Sequence, residues 1–218
     1  LVALGTVADM VSLDRNNRIL VAHGLRRIRA AQCCPGITAL LQIARRSQPD
    51  LAASDLGYSV GPRLNAAGRL EEMSLGVNCL LADDFAKALH FANELEKLNE
   101  ERRGIEHTMR QEALSIIHEY HIQNDKALPF GVCLMNERWH QGVVGIIASR
   151  IKDRLHRPTI VFAKLDDGSL KGSGRSVPKL HLRDAIEKIA MTHPDLILRF
   201  GGHAMAAGLT IVEHGFSQ

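Results

Sequence analysis

Residues 83–120 read DDFAKALHFANELEKLNEERRGIEHTMRQEALSIIHEY. Phe85, Ala88, Ala92, Leu95, Ile105, Met109, Ala113 and Ile116 recur at three- and four-residue steps, with charges filling the other positions. That spacing predicts one amphipathic α-helix. Asp83 and Asp84 stand where acids favour a helix start. At 1.5 Å per residue such a helix reaches on the order of 50 Å. This is long for a globular helix, with Gly104 as a place to bend, so 83–122 reads as a connector between 1–82 and 123–218. Nine acids against five bases make the segment acidic.

Working outward, residues 1–80 read as short helices and turns. Residues 17–30 form a helix with Ile19, Leu20, Leu25 and Ile28 on its apolar side and Arg26, Arg27 and Arg29 as a basic face. Pro35-Gly36 breaks it, 37–46 resumes helical periodicity, and the Gly- and Pro-containing stretch 61–69 interrupts regular structure. Downstream of the break at Asn124-Asp125 and Pro129 the period changes. Strands are expected over 130–134, 159–163, 170–176, 196–200 and 206–212, with helices over 142–155 and 181–190. Strands alternating with helices predict a small α/β domain. Residues 137–183 hold ten bases and four acids, a balance that suits an anionic ligand.

Composition narrows the function. The chain has 218 residues, a net charge of +3 and 45% apolar residues, as a folded globular protein does. Aromatics at 4% argue against a base-stacking platform. No apolar run reaches the roughly 18 residues of a membrane span, so a soluble protein without membrane contact is expected. The four cysteines, at 33, 34, 79 and 133, lack CxxC spacing; free thiols in a reducing cytoplasm are expected rather than disulfides or zinc. The chain opens Leu1-Val2-Ala3 without Met and reads as an internal segment. Nothing in it demands an oligomer, and a monomer is expected.

Candidate chemistry lies in short Gly-rich segments. In Lys171-Gly172-Ser173-Gly174-Arg175-Ser176, glycine would let backbone N–H groups approach a phosphate and Arg175 would offer a bidentate fork; a bulge or hairpin with an incidental Arg is the plainer reading. Gly201-Gly202-His203-Ala204-Met205-Ala206-Ala207-Gly208 fits a tight turn whose His203 either donates to a phosphate or is simply packed. Arg63, Asn65 and Arg69 in the 61–69 stretch suggest an anion grip or a solvated turn. Trp139-His140-Gln141-Gly142 precedes an apolar helix and so lies where a helix N-terminus receives an anion, although a lone Trp-His is more often packing. Asp9, in Gly5-Thr6-Val7-Ala8-Asp9, is an isolated acid. With no HExxH or DxD in the chain, it cannot build a two-metal site by itself.

In order, the GTVAD segment at 5–9, GPRLNAAGR at 61–69, WHQGVVG at 139–145, GSGRS at 172–176 and GGHAMAAG at 201–208 resemble the DHH/DHHA1 phosphoesterase superfamily, and within it the single-strand-specific 5′→3′ DNA exonucleases. The resemblance implies that 1–82 is the C-terminal portion of a DHH catalytic domain and 123–218 a DHHA1 domain, with substrate in the cleft between them. It implies Asp9 as a metal and catalytic residue of a two-ion Mn²⁺ or Mg²⁺ site whose other ligands come from upstream motifs. It implies Arg63 and Asn65 as catalytic residues near the scissile or terminal phosphate, with Arg69 beside them. Trp139, His140, Gln141, Ser173, Gly174, Arg175, Ser176, Gly201, Gly202 and His203 would hold the DNA backbone and its 5′-phosphate. The implied activity is hydrolysis of single-stranded DNA in recombination and repair, with a single-strand-binding protein and a helicase as candidate partners. The isolated chain is expected to be inactive. Two alternatives stand beside it: a relative acting on short RNA or cyclic dinucleotides, and a non-catalytic nucleic-acid-binding module.

Overall fold

The computed structural model describes residues 1–124 and 129–218, with side chains described up to residue 120 in the first stretch. Asp125, where the sequence reading breaks the long helix, lies outside the described residues. The chain divides into two compact units, Leu1–Arg103 and Gly104–Gln218. No helix among the described residues is long and apolar enough to cross a membrane, and the four cysteines are free thiols.

The N-terminal unit is helical: α1 (Val2–Ala8), α2 (Arg15–Arg29), α3 (Pro35–Ile43), the single turn α4 (Ala53–Asp55), a π-helical turn (Leu56–Val60), α5 (Gly61–Leu70), α6 (Ser74–Leu81) and the start of α7 (Phe85–Asn124). Local chemistry sets the ends. The Asp14 carboxylate accepts from the Asn17 N–H at 2.8 Å and caps α2. Pro35 begins α3, where a missing N–H is harmless. Ile37, Leu40, Leu51, Leu56 and Val60 fill the core together with Ala88, Ala92 and Leu95 of α7.

The stretch 61–69 corrects the sequence reading. It does not interrupt regular structure but forms most of α5. Pro62 sits in the first turn of α5, where its ring is tolerated. Just before it the Gly61 N–H reaches back five residues to the Leu56 carbonyl, widening that turn into a π-helix. Buried Leu64, Ala66 and Ala67 then hold the helix on the core, so packing overrides the low helix propensity of Gly and Pro.

Helical hydrogen bonding in α7 continues through Gly104. Its later turns bury Met109, Ala113 and Ile117. The C-terminal unit adds β1 (Val132–Met135), α8 (Val144–Leu155), β2 (Thr159–Lys164), β3 (Leu170–Arg175), α9 (Leu182–Thr192), β4 (Ile197–Gly202) and β5 (Ala206–Ile211). The strands form one five-stranded sheet in the order β1-β2-β3-β5-β4. β1 and β2 are parallel, joined by the α8 crossover, and the other pairs are antiparallel. The α/β expectation from alternating strands and helices is met, with a mixed sheet.

Alternation along the strands gives each helix its own face. Phe162, Leu170, Ala207, Leu209 and Ile211 pack with Leu182 and Ile186 of α9. α8 lies on the opposite face over β2 and β3. It does not extend over β4 and β5, where Arg199, Gly201 and Gly208 remain exposed.

Candidate functional site

The register of the sheet brings separate sequence segments into rows. Ser173 of β3 stands opposite Gly208 of β5, which stands opposite Gly201 of β4. One step along, Arg175 is opposite Ala206. These residues lie on the α8 face, because Gly172 and Gly174 between them point the other way: a Cβ on Gly172 would meet the Phe162 ring at 2.5 Å, and one on Gly174 would meet Leu182 at 2.7 Å.

The first turn of α8 packs on the same row. A Cβ on Gly145, in the first turn, would lie 2.9 Å from Ser173 Oγ and 3.1 Å from an Arg175 Nη. No side chain caps this helix, and its first turn lies beside the Ser173 hydroxyl and the Arg175 guanidinium. Arg175 is half-buried and donates to Ser173 Oγ (3.1 Å) and to the Gly174 carbonyl (2.8 Å), both neutral oxygens. Burial lowers its pKa from the ordinary arginine value, yet a guanidinium stays charged in a protein. A partly desolvated cation with neutral partners beside a hydroxyl is an arrangement whose chemistry suits an anionic oxygen.

The hairpin turn of β4 and β5 is tied in beside this group. The Ser176 N–H donates to the Met205 carbonyl and the Leu182 N–H to the Ala204 carbonyl, each at 2.9 Å. Gly202 has φ of 141°, and a Cβ there would lie 2.5 Å from the Ala206 carbonyl oxygen, so glycine is required. His203 is exposed at the head of the turn. His140 Nδ1 accepts from the Gly142 N–H at 3.1 Å, which leaves Nε2 as the protonated nitrogen of the neutral ring. Gln141 Oε1 accepts from Lys171 Nζ at 2.9 Å.

Several residues are placed otherwise than the sequence reading expects. Gly174 makes room for Leu182, and β3 pairs on both sides, so its backbone serves the ladder rather than a phosphate. Ser176 is buried, with its hydroxyl on the Leu180 carbonyl at 2.8 Å. Trp139 is 3% exposed, and its indole N–H donates to Glu112 at 2.7 Å; it holds α7, not a base. Gly145 and Lys171 join the site without having been singled out by sequence. Period-two alternation within 171–175 could have found Lys171, but Gly145 needed the packing.

The N-terminal unit holds the remaining predicted residues. Asp9 is exposed at the C-cap of α1, and the preceding Ala8 packs against Gly61, where a Cβ would be 3.2 Å away. Asn65, exposed, and Arg69, half-buried, are four residues apart on α5 and so share a face. Arg63 is turned inward. Its Nε lies 2.6 Å from one Glu96 carboxylate oxygen, one Nη 2.9 Å from the other, and its second Nη donates to the Ser59 carbonyl. The guanidinium is held by Glu96 and the Ser59 carbonyl instead of facing a ligand. Among the described residues no group of three or more His, Cys, Asp or Glu side chains could hold a metal ion; a lone Asp9 does not fit a two-ion site.

Residues 127–216 match the family model of the DHHA1 domain. Along all 218 residues the chain is 57% identical to the single-stranded-DNA-specific exonuclease RecJ of Dickeya dadantii. The whole of this chain is similar to one stretch of RecJ. It is 32% identical over 212 residues to RecJ of Bacillus subtilis. A crystal structure of RecJ in complex with Mg²⁺ from Thermus thermophilus superposes with a TM-score of 0.81 at 34% identity, covering 99% of this chain and 32% of that one. A second, of RecJ in complex with Mn²⁺ from the same organism, gives 0.82. The chain spans 38% of the length of the Dickeya RecJ.

Proposed function

We propose that the C-terminal unit grips the 5′-phosphate end of single-stranded DNA, as the end-binding part of a metal-dependent 5′→3′ exonuclease of recombination and repair. The observation that carries this reading is the convergence of Ser173, Arg175 and the uncapped start of α8 on one spot beside the Gly208–Gly201 row. In this reading 1–82 belongs to the DHH nuclease domain, with Asn65 and Arg69 as its anion contacts, 83–122 joins it to the DHHA1 domain at 123–218, and His140, Gln141, Gly201 and His203 of the C-terminal unit flank the bound strand. Asp9 contributes one carboxylate to a Mn²⁺ or Mg²⁺ site completed by residues outside this chain. The protein works in the cytoplasm as a monomer, with a single-strand-binding protein and a helicase as partners.

The test is equilibrium binding of a 5′-phosphorylated oligothymidylate against the same strand with a 5′-hydroxyl. Arg175→Ala should remove a charge-assisted contact of about 2 kcal/mol, weakening the phosphorylated strand roughly 30-fold and leaving the hydroxyl strand nearly unchanged. Equal binding of the two strands by the unaltered chain would defeat the end-phosphate reading. Gly145→Ala should act on the same contact. Its methyl would displace Ser173 Oγ and Arg175, cutting the preference for phosphate several-fold, while the better helix propensity of Ala offsets up to about 1 kcal/mol of strain. Unchanged preference with unchanged thermal stability would show that the α8 start and Arg175 do not share a ligand.

A further inference from the structure

The loop that carries His140 and Gln141 is anchored by a residue far from it in sequence. Three bonds shape the loop itself: the Arg138 N–H donates to Asn136 Oδ1 at 3.0 Å, the Trp139 N–H to the Asn136 carbonyl at 3.1 Å and the Val143 N–H to the His140 carbonyl at 3.0 Å. Both ends of each bond lie within 136–143, so they set its shape and not its place on the unit. Of the ties that lead outward, that of Gln141 to Lys171 joins two exposed side chains. The Trp139 indole, in contrast, is buried, and its N–H donates to Glu112 Oε2 of α7 at 2.7 Å. Glu106, a second acid of α7, meets Arg150 of α8 at 3.3 Å, but the Arg150 side chain is 57% exposed, and such a pair contributes little.

Glu112 is half-buried and, among the described residues, no cation pairs with it. Its carboxylate therefore has the indole as its partner, in a charge-assisted bond stronger than one to a neutral acceptor. A buried donor without an acceptor is costly, so Trp139 stays where Glu112 holds it, and His140 and Gln141 follow in the next two positions. The chain then enters α8, whose first turn sets Gly145 against Ser173 and Arg175. We infer that Glu112 is a positioning residue of the end-phosphate site: through Trp139 it sets the place of His140, Gln141 and the start of α8, and with them the grip on a terminal phosphate. The inference rests on the end-phosphate reading and deepens it.

The test compares Glu112→Gln, which keeps an acceptor for the indole, with Glu112→Leu, which keeps the volume and offers none. The readout is the ratio of affinities for 5′-phosphorylated and 5′-hydroxyl oligothymidylate, taken at a temperature where thermal denaturation shows each chain folded. Trp139 is the single tryptophan, so its fluorescence reports the loop directly. Glu112→Leu should cut the ratio several-fold and shift the Trp139 emission, and Glu112→Gln should restore most of both. Trp139→Phe should cut the ratio as Glu112→Leu does, and the double variant no further, because both substitutions remove one bond. A full ratio in folded Glu112→Leu overturns the proposal, as does an equal loss in Glu112→Gln or an additive loss in the double variant. Where Glu112→Leu does not fold, Trp139→Phe decides alone, and a full ratio there overturns the proposal. Equal binding of the two strands by the unaltered chain overturns the end-phosphate reading itself, and this inference with it.

Discussion

Arg63→Ala is expected to destabilise the N-terminal unit by about 3 kcal/mol, the usual result of removing one partner of a buried pair. The Arg63 side chain is 9% exposed and that of Glu96 24%. Alanine leaves the Glu96 carboxylate without its fork and the Ser59 carbonyl without the donor it has in Arg63. In a unit of roughly a hundred residues this corresponds to a fall in Tm of about 12–24 °C, read by calorimetry. Arg63→Lys keeps the charge but not the planar fork and should recover only part of the loss. A different outcome would restore the role that the sequence suggests. It is stability within about 0.5 kcal/mol of the unaltered chain, as for an ordinary surface substitution, with nucleic-acid binding lost.

Trp139→Ala should lower the stability of the C-terminal unit by about 4 kcal/mol, in the range for truncating a buried aromatic. Trp139→Phe keeps most of the buried ring surface and loses the indole N–H to Glu112, at a cost of about 1–3 kcal/mol for the stranded acceptor. Chemical denaturation followed by far-ultraviolet dichroism separates the two variants. If both variants instead kept full stability and lost affinity for oligothymidylate, Trp139 would be a stacking residue and not a support for α7. Both substitutions address residues that a motif makes look functional and that the fold uses as supports.

Much of the architecture is legible in the residues. The three- and four-residue spacing of Ala88, Ala92, Leu95, Met109 and Ala113 predicts α7, and each of these is buried. The five strands lie within a few residues of their expected places, because a period of two and bounding Gly and Pro are local signals. The stretch 61–69 reads as a break because Gly, Pro and Asn are turn formers by local propensity, whereas Leu64, Ala66 and Ala67 are held helical by a core assembled from distant residues.

The site divides along the same line. By itself the sequence determined the elements, the basic character of 137–183 and the identity of Ser173 and Arg175 as anion-binding candidates. Only the tertiary structure decided which side chains share a surface. A strand slipped by one residue would turn Ser173 and Arg175 into the core and Gly174 outward. It decided that Gly174 is a packing glycine and that Arg63 and Trp139 face inward. Registry between β3 and β5 depends on contacts across roughly thirty to forty residues of chain, and such long-range pairing leaves no mark in the local spacing of either strand.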